Sequence, residues 1–491
     1  MPDLPMLHNA RSWRGRWWIP DQPQEAVSGF LNYDPDSGLE LVLVGGFDDS
    51  VKVPVGPGAV DVYPGSGTFP VLHGEAGGRY LTLFDCVAKN SKTYLGMASM
   101  EGPSEQTLRV GTAVDGARLA DKSDRVFSSF TCGMEDLYQW LDDSNISFRF
   151  PKSVRNGKMS CDPAVFQHHA EKRVAKLSWG TVELGLHRIL PSSTMTRAGQ
   201  RVHLADYPLL RLRGDAPMSM LEGMERLYVL RDLVALATGR ASSWLWIQGG
   251  IDVSEGDGPT REYQSGLYFS HEVIGSADQK VKNQDSLLFT LSDLDFSILL
   301  PRWWDVRDKF TASCNMIVGS RYIADHYLET MLIVAAAGAE AFHGALKEKP
   351  PESRQQRIAR LEPAKDSLSD SDWHWLVGIL PHGWSLKQRL ERLAALLPES
   401  CRDALVPNPN AWSRTTVKAR NNLSHSGATK ISPDKIYAAT LVTRAVVLVH
   451  LLLEVGLNEE GALRALRDTR ELRRACALAA EEFPATEPSG D

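Results

Sequence analysis

Near Trp303 the hydrophobic pattern changes from a strand-like to a helical period, and this constrains the fold more than any other feature of the sequence. Before it, apolar residues alternate with polar ones or come in short bursts between glycines and prolines. LELVLVGG (Leu39 to Gly46) is an apolar strand ending in glycines, and Ile146, Phe148 and Phe150 alternate with polar neighbours. VPVGPGAVDVYPGSG (Val53 to Gly67) supplies turn residues between short strands. A sandwich or barrel-like module is expected. A helix interrupts it: Ser219 and Glu222 form a capping box, Leu221, Met224, Leu227 and Tyr228 share a face, and Gly239 can end the helix. WLWIQGGIDV (Trp244 to Val253) then returns to a strand pattern.

From Trp303 onward the period predicts helices over Ile317–Leu346, Asp370–Ile379, Ser385–Leu397, Ala411–Asn421 and Glu459–Glu482. Another starts at Ser432-Pro433-Asp434, a cap residue followed by proline in the first turn, and runs to Val455, where Gly456 can close it. KEKPPESR (Lys347 to Arg354) is a charged loop. The fold class is therefore α+β, with a β-rich module carrying an inserted helix over residues 1–305 and an all-α domain over 306–491.

Charge and cysteine usage exclude several function classes. A formal net charge of -7 argues against a protein that coats nucleic acid without preference, so any contact with RNA should be local. The six cysteines lie scattered with no C-x-x-C pair, against both a disulfide framework and a cysteine-rich zinc site. The start, MPDLPMLHNARSWRGRWW, has no apolar core of signal-peptide kind. The most apolar run, Ala445 to Leu453, contains His450 and is too short to span a bilayer. A cytoplasmic protein with no membrane partner is expected. His168-His169 has no ligand partners at suitable spacing and reads as surface, and no paired carboxylates, phosphate-binding glycine loop or nucleophile elbow are apparent.

The segment that carries chemistry is VKARNNLSHSG, Val417 to Gly427, in which Arg420 and His425 form R-x-x-x-x-H with Asn421 directly after the arginine. It resembles the HEPN superfamily, whose nucleases carry R-x4-6-H in an all-helical domain, often with a polar residue after the arginine. The spacing recurs at Arg321 and His326. Five positions on an unbroken helix separate two side chains by about 140°. Arg321 and His326 sit in a continuous apolar helix pattern and should diverge. Asn421, Asn422, Ser424, Ser426 and Gly427 are helix-ending residues, so the backbone is expected to turn and bring Arg420 and His425 to one site.

These residue types suit RNA cleavage. RNA carries its own nucleophile, the 2′-hydroxyl, beside the scissile phosphate. Histidine can take or give a proton near neutral pH, and arginine supplies a fixed positive donor for charge developing on phosphate. Asn421 can orient the phosphate or the histidine. No metal or other cofactor is required, and the expected products are a 2′,3′-cyclic phosphate and a 5′-hydroxyl. In HEPN nucleases two protomers bring their motifs together, so the resemblance implies a homodimer with a composite site. Arg414 and Lys418, spaced in line with Asn421 and His425, can extend an RNA-binding surface. Glu340, in GAEAFHG, matches the polar residue that HEPN-like domains can carry on an early helix; His343 reads as structural.

The N-terminal half adds GRWWIP (Gly15 to Pro20), SGFLNYDPDSGLELVLVGG (Ser28 to Gly46) and VLHGEAGGRYLTLFDC (Val71 to Cys86). These resemble the N-terminal domain of ApeA-type anti-phage proteins, which join such a domain to a C-terminal HEPN ribonuclease. The resemblance implies an abortive-infection endoribonuclease whose N-terminal half senses a phage-derived trigger and restrains the nuclease. Two other readings stay open. One is an inert HEPN-like protein that only binds RNA or a nucleotide, and the other a β-rich ligand- or protein-binding module with helices for dimerisation.

Overall fold

The strand Gly38–Val44 shows how the first part of the chain is built. Leu39, Leu41 and Leu43 are buried while Val44 is exposed, the alternation of a sheet with one wet face. It pairs antiparallel with Val27–Asp34 on one side, Leu41 opposite Leu31, and with Glu105–Val110 on the other, Leu41 opposite Leu108. Onward from Val27–Asp34 come Arg11–Trp18, Thr68–Ala76 and Arg79–Lys92, and the far end of Arg79–Lys92 pairs with Glu105–Val110. The six strands close into a barrel, which leaves no free edge to template pairing with another chain. Gly74 is dictated by that closure, because a Cβ there would lie 2.2 Å from the ring of the fully buried Trp17.

This computed structural model describes residues 4–47, 51–56, 59–63, 66–92, 105–142, 146–149, 152–155, 158–161, 164–167, 172–196, 199–254, 259–270, 272, 287–323, 327–380 and 383–485. His168-His169 and Phe150 lie outside them. Contacts divide the chain into one unit of Met1–Val234 with Ser242–Lys280 and another of Ala235–Ala241 with Val281–Asp491.

In the first unit the sheet continues past the barrel. Residues Leu81–Phe84 of Arg79–Lys92 also pair with Thr112–Asp115, from which strands Arg261–Phe269, Trp244–Val253, Phe127–Met134, Gly199–Met218, Gly180–Thr196 and Arg173–Leu177 follow in order. The expected barrel-like module is thus present, with a long antiparallel extension, and Trp244–Val253 is the strand that the sequence predicts. Two helices interrupt it: α1 (Leu137–Leu141) and α2 (Met220–Thr238), of which the part up to Val234 belongs to this unit. The capping box at α2 is complete. The Ser219 amide donates to Glu222 Oε2 at 2.9 Å, the Glu222 amide donates to Ser219 Oγ at 3.1 Å, and Gly239 ends the helix at φ +69°.

The second unit is all-helical: α3 (Phe296–Lys309), α4 (Thr311–Ile317), α5 (Leu328–Ala345), α6 (Arg354–Leu361), α7 (Asp370–Ile379), α8 (Leu386–Leu396), α9 (Glu399–Leu405), α10 (Pro409–Ser426), α11 (Pro433–Glu454), α12 (Glu459–Asp468) and α13 (Arg470–Glu482). The boundary expected at 305/306 falls inside α3. Three predicted helices differ from those observed. The span Ile317–Leu346 is broken by a 3-10 turn at Gly319–Tyr322 and by extended backbone at Ile323 and Tyr327. The span Glu459–Glu482 divides at Thr469, whose backbone is extended. The helix expected to stop at Asn421 continues to Ser426.

α11 is the axis of this unit and touches α3, α4, α5, α8, α9, α10, α12 and α13. Ser432 caps it and Pro433 opens it, as the sequence predicts. The helix is long and apolar enough to cross a bilayer, but 83% of its most apolar window is buried within the protein, so it serves as a core helix. His450 faces α8 and α5 from the C-terminal part of α11, with Nε2 2.9 Å from the Leu393 carbonyl and its ring stacked on Phe342. Burial pushes the pKa of His450 down to about 4. The unfolded chain binds that proton more readily, near the ordinary 6.5. The contribution to stability is therefore full above pH 6.5 and is lost as pH falls toward 4, about 3 kcal/mol in all. Urea unfolding at pH 7.5 and 5.0 should show about 2 kcal/mol of this loss in the wild type and a shallower one in His450→Phe; equal losses would place the titration elsewhere.

Candidate active site

α10 begins where Asn408 accepts the Ala411 amide at 3.0 Å and Pro409 fills the first turn. It ends at Gly427, which takes φ +68° and returns its N–H to the Leu423 carbonyl. Trp412, Thr416, Ala419 and Leu423 recur at helical spacing and are buried, on a helix that packs against α5, α8 and α11. The Trp412 indole N–H donates to Thr443 Oγ1 of α11 at 3.2 Å. Ser413 donates to Glu391 Oε1 of α8 at 3.0 Å.

The opposite face carries the polar residues singled out above. Arg414, Lys418, Asn421 and His425 fall within about 60° of arc on an ideal helix. Arg414, Lys418 and His425 are exposed and Asn421 is half-buried. Arg420 lies on neither face, but its Nη1 donates to Asn421 Oδ1 at 3.1 Å, which draws the guanidinium toward the polar stripe. Asn422 reaches forward to Thr429 Oγ1 at 3.4 Å and so ties the motif to the segment leading into α11.

The helix does not turn between Arg420 and His425, contrary to expectation. Their side chains therefore leave α10 about 140° apart, and the Arg420 guanidinium bonds to Asn421 rather than to His425. Leu423 explains the continuation, because it extends the buried face past the asparagines and its packing overrides their preference for a helix end. Arg321 does not stand on a continuous helix either, but in the 3-10 turn Gly319–Tyr322. His326 lies outside the described residues, and Arg321 is taken up by Glu471 at 3.0 Å and by the Gly239 carbonyl.

Glu340 sits on α5, which packs on both α8 and α10. Its partner is Arg389 of α8, whose Nε lies 3.9 Å from Glu340 Oε1 and whose Nη1 donates to the Glu340 carbonyl at 3.3 Å. The sequence reading missed Arg389, and nothing in its spacing points to it. His343 is buried with its ring edge-on to Trp384, and burial with the nearby Arg389 lowers its pKa. Among the described residues no group of three His, Cys, Asp or Glu is placed to share a metal ion.

Two family models match the chain: ApeA N-terminal domain 1 over residues 12–303, more than half of the length, and Apea-like HEPN over residues 333–461. The chain belongs to the ApeA family. Its second match runs from within α5 into α12 and contains Glu340 and the whole polar stripe of α10. The β-rich N-terminal region and the helical C-terminal region are those of an ApeA protein, a HEPN nuclease-type anti-phage architecture. The search of curated proteins gives no match to the ApeA-family chain. Among solved structures, a chain titled "pT26-6p" is similar at 8% identity with a TM-score of 0.14, covering 97% of this chain and 93% of that one, too slight a likeness to bear on the fold.

Proposed function

We propose that the protein is an endoribonuclease in which Arg420 and His425 act on the scissile phosphate. The carrying observation is the polar edge of α10, where Asn421 draws the Arg420 guanidinium toward the stripe that ends in the exposed His425. The 2′-hydroxyl loses its proton and its oxygen attacks phosphorus. The bond to the 5′-oxygen breaks, and that oxygen takes up a proton, leaving a 2′,3′-cyclic phosphate and a 5′-hydroxyl. His425 transfers one of these protons and Arg420 holds the charge that builds on the phosphoryl oxygens. No metal enters this scheme. Arg414 and Lys418 take neighbouring phosphates along the same stripe. Glu340, paired with Arg389, is a positioning residue for the side of α10 that packs on α5 and α8.

The divergence of Arg420 and His425 supports the composite site. One imidazole per chain does not serve both proton transfers in one step, and a two-fold pairing of α10 edges supplies a second imidazole and a second guanidinium. Light scattering on the purified protein should then give twice the chain mass of 54.3 kDa. The β-rich unit is the sensor for a phage-derived trigger, because an unrestrained RNase would damage its own cell. The test is to infect cells with a phage panel and sequence RNA ends after cyclic-phosphate capture. New ends in the wild type, absent in Arg420→Ala, support the reading. Identical RNA ends in both, with purified wild type that binds but never cuts RNA, would leave an inert binding protein.

A further inference from the structure

The opening turns of α13 and α11, together with residues 238–240 and Leu288, all in the second unit, line an open cavity of about 840 Å³. Arg240, Arg470, Arg473 and Arg474 line it. The last three stand within the first five residues of α13, at the positive end of the helix dipole, where acidic residues are normally favoured. Thr469 does not offset this. Its hydroxyl donates back to the Ala465 carbonyl at 2.7 Å, and α13 has no side-chain cap. The N-terminal turn of α13 and its three arginines therefore line the same cavity.

The carboxylate lining the cavity, Glu471, is already shared. Arg321 reaches its Oε2 at 3.0 Å, and Arg444 lies 3.7 Å from its Oε1. The Arg321 side chain is only 7% exposed, and its Nε and Nη2 are buried without a hydrogen-bond partner. Among the described residues Arg470, Arg473 and Arg474 join no ion pair, so the cavity keeps a large excess of positive charge. A local breach of helix electrostatics of this kind is expected at functional or strained sites. Tyr437, Leu441 and Leu288 add apolar lining, and the volume lies within the range of small-ligand pockets, roughly 300–1,000 Å³.

We propose that this cavity binds a nucleoside polyphosphate, the phosphates held by Arg470, Arg473, Arg474 and the α13 N-terminus, the base against Tyr437 and Leu441. The ligand is a second binding partner, separate from the RNA on α10. The test uses the full chain carrying His425→Ala, so that no cleavage intervenes, and calorimetric titration with ATP, GTP, adenosine and inorganic tripolyphosphate. At least one nucleotide should bind, tripolyphosphate should compete more weakly, and adenosine should not bind. The double variant Arg473→Ala/Arg474→Ala alters two exposed residues and should weaken nucleotide binding at least tenfold, with an unchanged melting temperature in the absence of ligand. Unaltered binding in that variant, or no binding of either nucleotide at millimolar concentration, overturns the proposal. Tripolyphosphate binding as tightly as the nucleotides overturns the nucleoside assignment. Competition by a 5′-triphosphorylated RNA hexamer alone would assign the cavity to RNA instead.

Discussion

Replacing His425 by alanine should lower RNA cleavage by about 10²–10⁴-fold, the usual loss when a proton-transfer group is removed. The side chain is exposed in the last turn of α10 and packs in no core, so the fold should not change. Melting temperature and RNA binding should match the wild type while cyclic-phosphate ends disappear. A variant that still cuts at the wild-type rate would remove His425 from the chemistry, whatever the role of Arg420. Asn421→Ala should lie between the two, because it frees the Arg420 guanidinium without deleting it.

The largest effect on stability is expected at Trp412. Its ring is fully buried, and its N–H is satisfied by Thr443 of α11. Trp412→Ala empties a large space between α10 and the axis of the unit, at a cost of about 3–5 kcal/mol for such truncations. It also leaves the Thr443 hydroxyl without the indole N–H. Chemical denaturation should show the second unit unfolding at much lower denaturant. A loss under 1 kcal/mol would mean that α10 is held elsewhere, with Trp412 no more than a filler. Trp412→Phe keeps most of the volume and should separate the cavity from the lost hydrogen bond.

Much of the fold is legible in the sequence. Ser219 with Glu222, the Ser432-Pro433 start and the α7 limits follow from local chemistry, in which cap and proline act within one turn, and the structure carries them. α10 runs past the stop its asparagines and serines suggest, because those preferences are worth tenths of a kcal/mol each, whereas burying Leu423 is worth more. The signal was present: Trp412, Thr416, Ala419 and Leu423 already mark one face across the supposed stop. The break after Ile317 left weaker traces, since Gly319 and the polar residues after it are sparse punctuation within an alanine- and leucine-rich stretch. Barrel closure was out of reach, because the pairing of Arg79–Lys92 with both Thr68–Ala76 and Glu105–Val110 depends on contacts between distant positions rather than on any local pattern.

The second unit is discontinuous in the chain: it takes in Ala235–Ala241 and then resumes at Val281. The short piece is held where the Leu288 and Phe289 amides donate to the Ala237 carbonyl and Arg321 binds the Gly239 carbonyl. One protease cut between 242 and 280 would leave both fragments contributing to the helical unit. A single recombination crossover in that interval does not transplant the unit whole. A gene that acquired only the downstream part would lack the residues that close the arginine-lined cavity. Inheritance of the two parts together follows from the path of the chain itself.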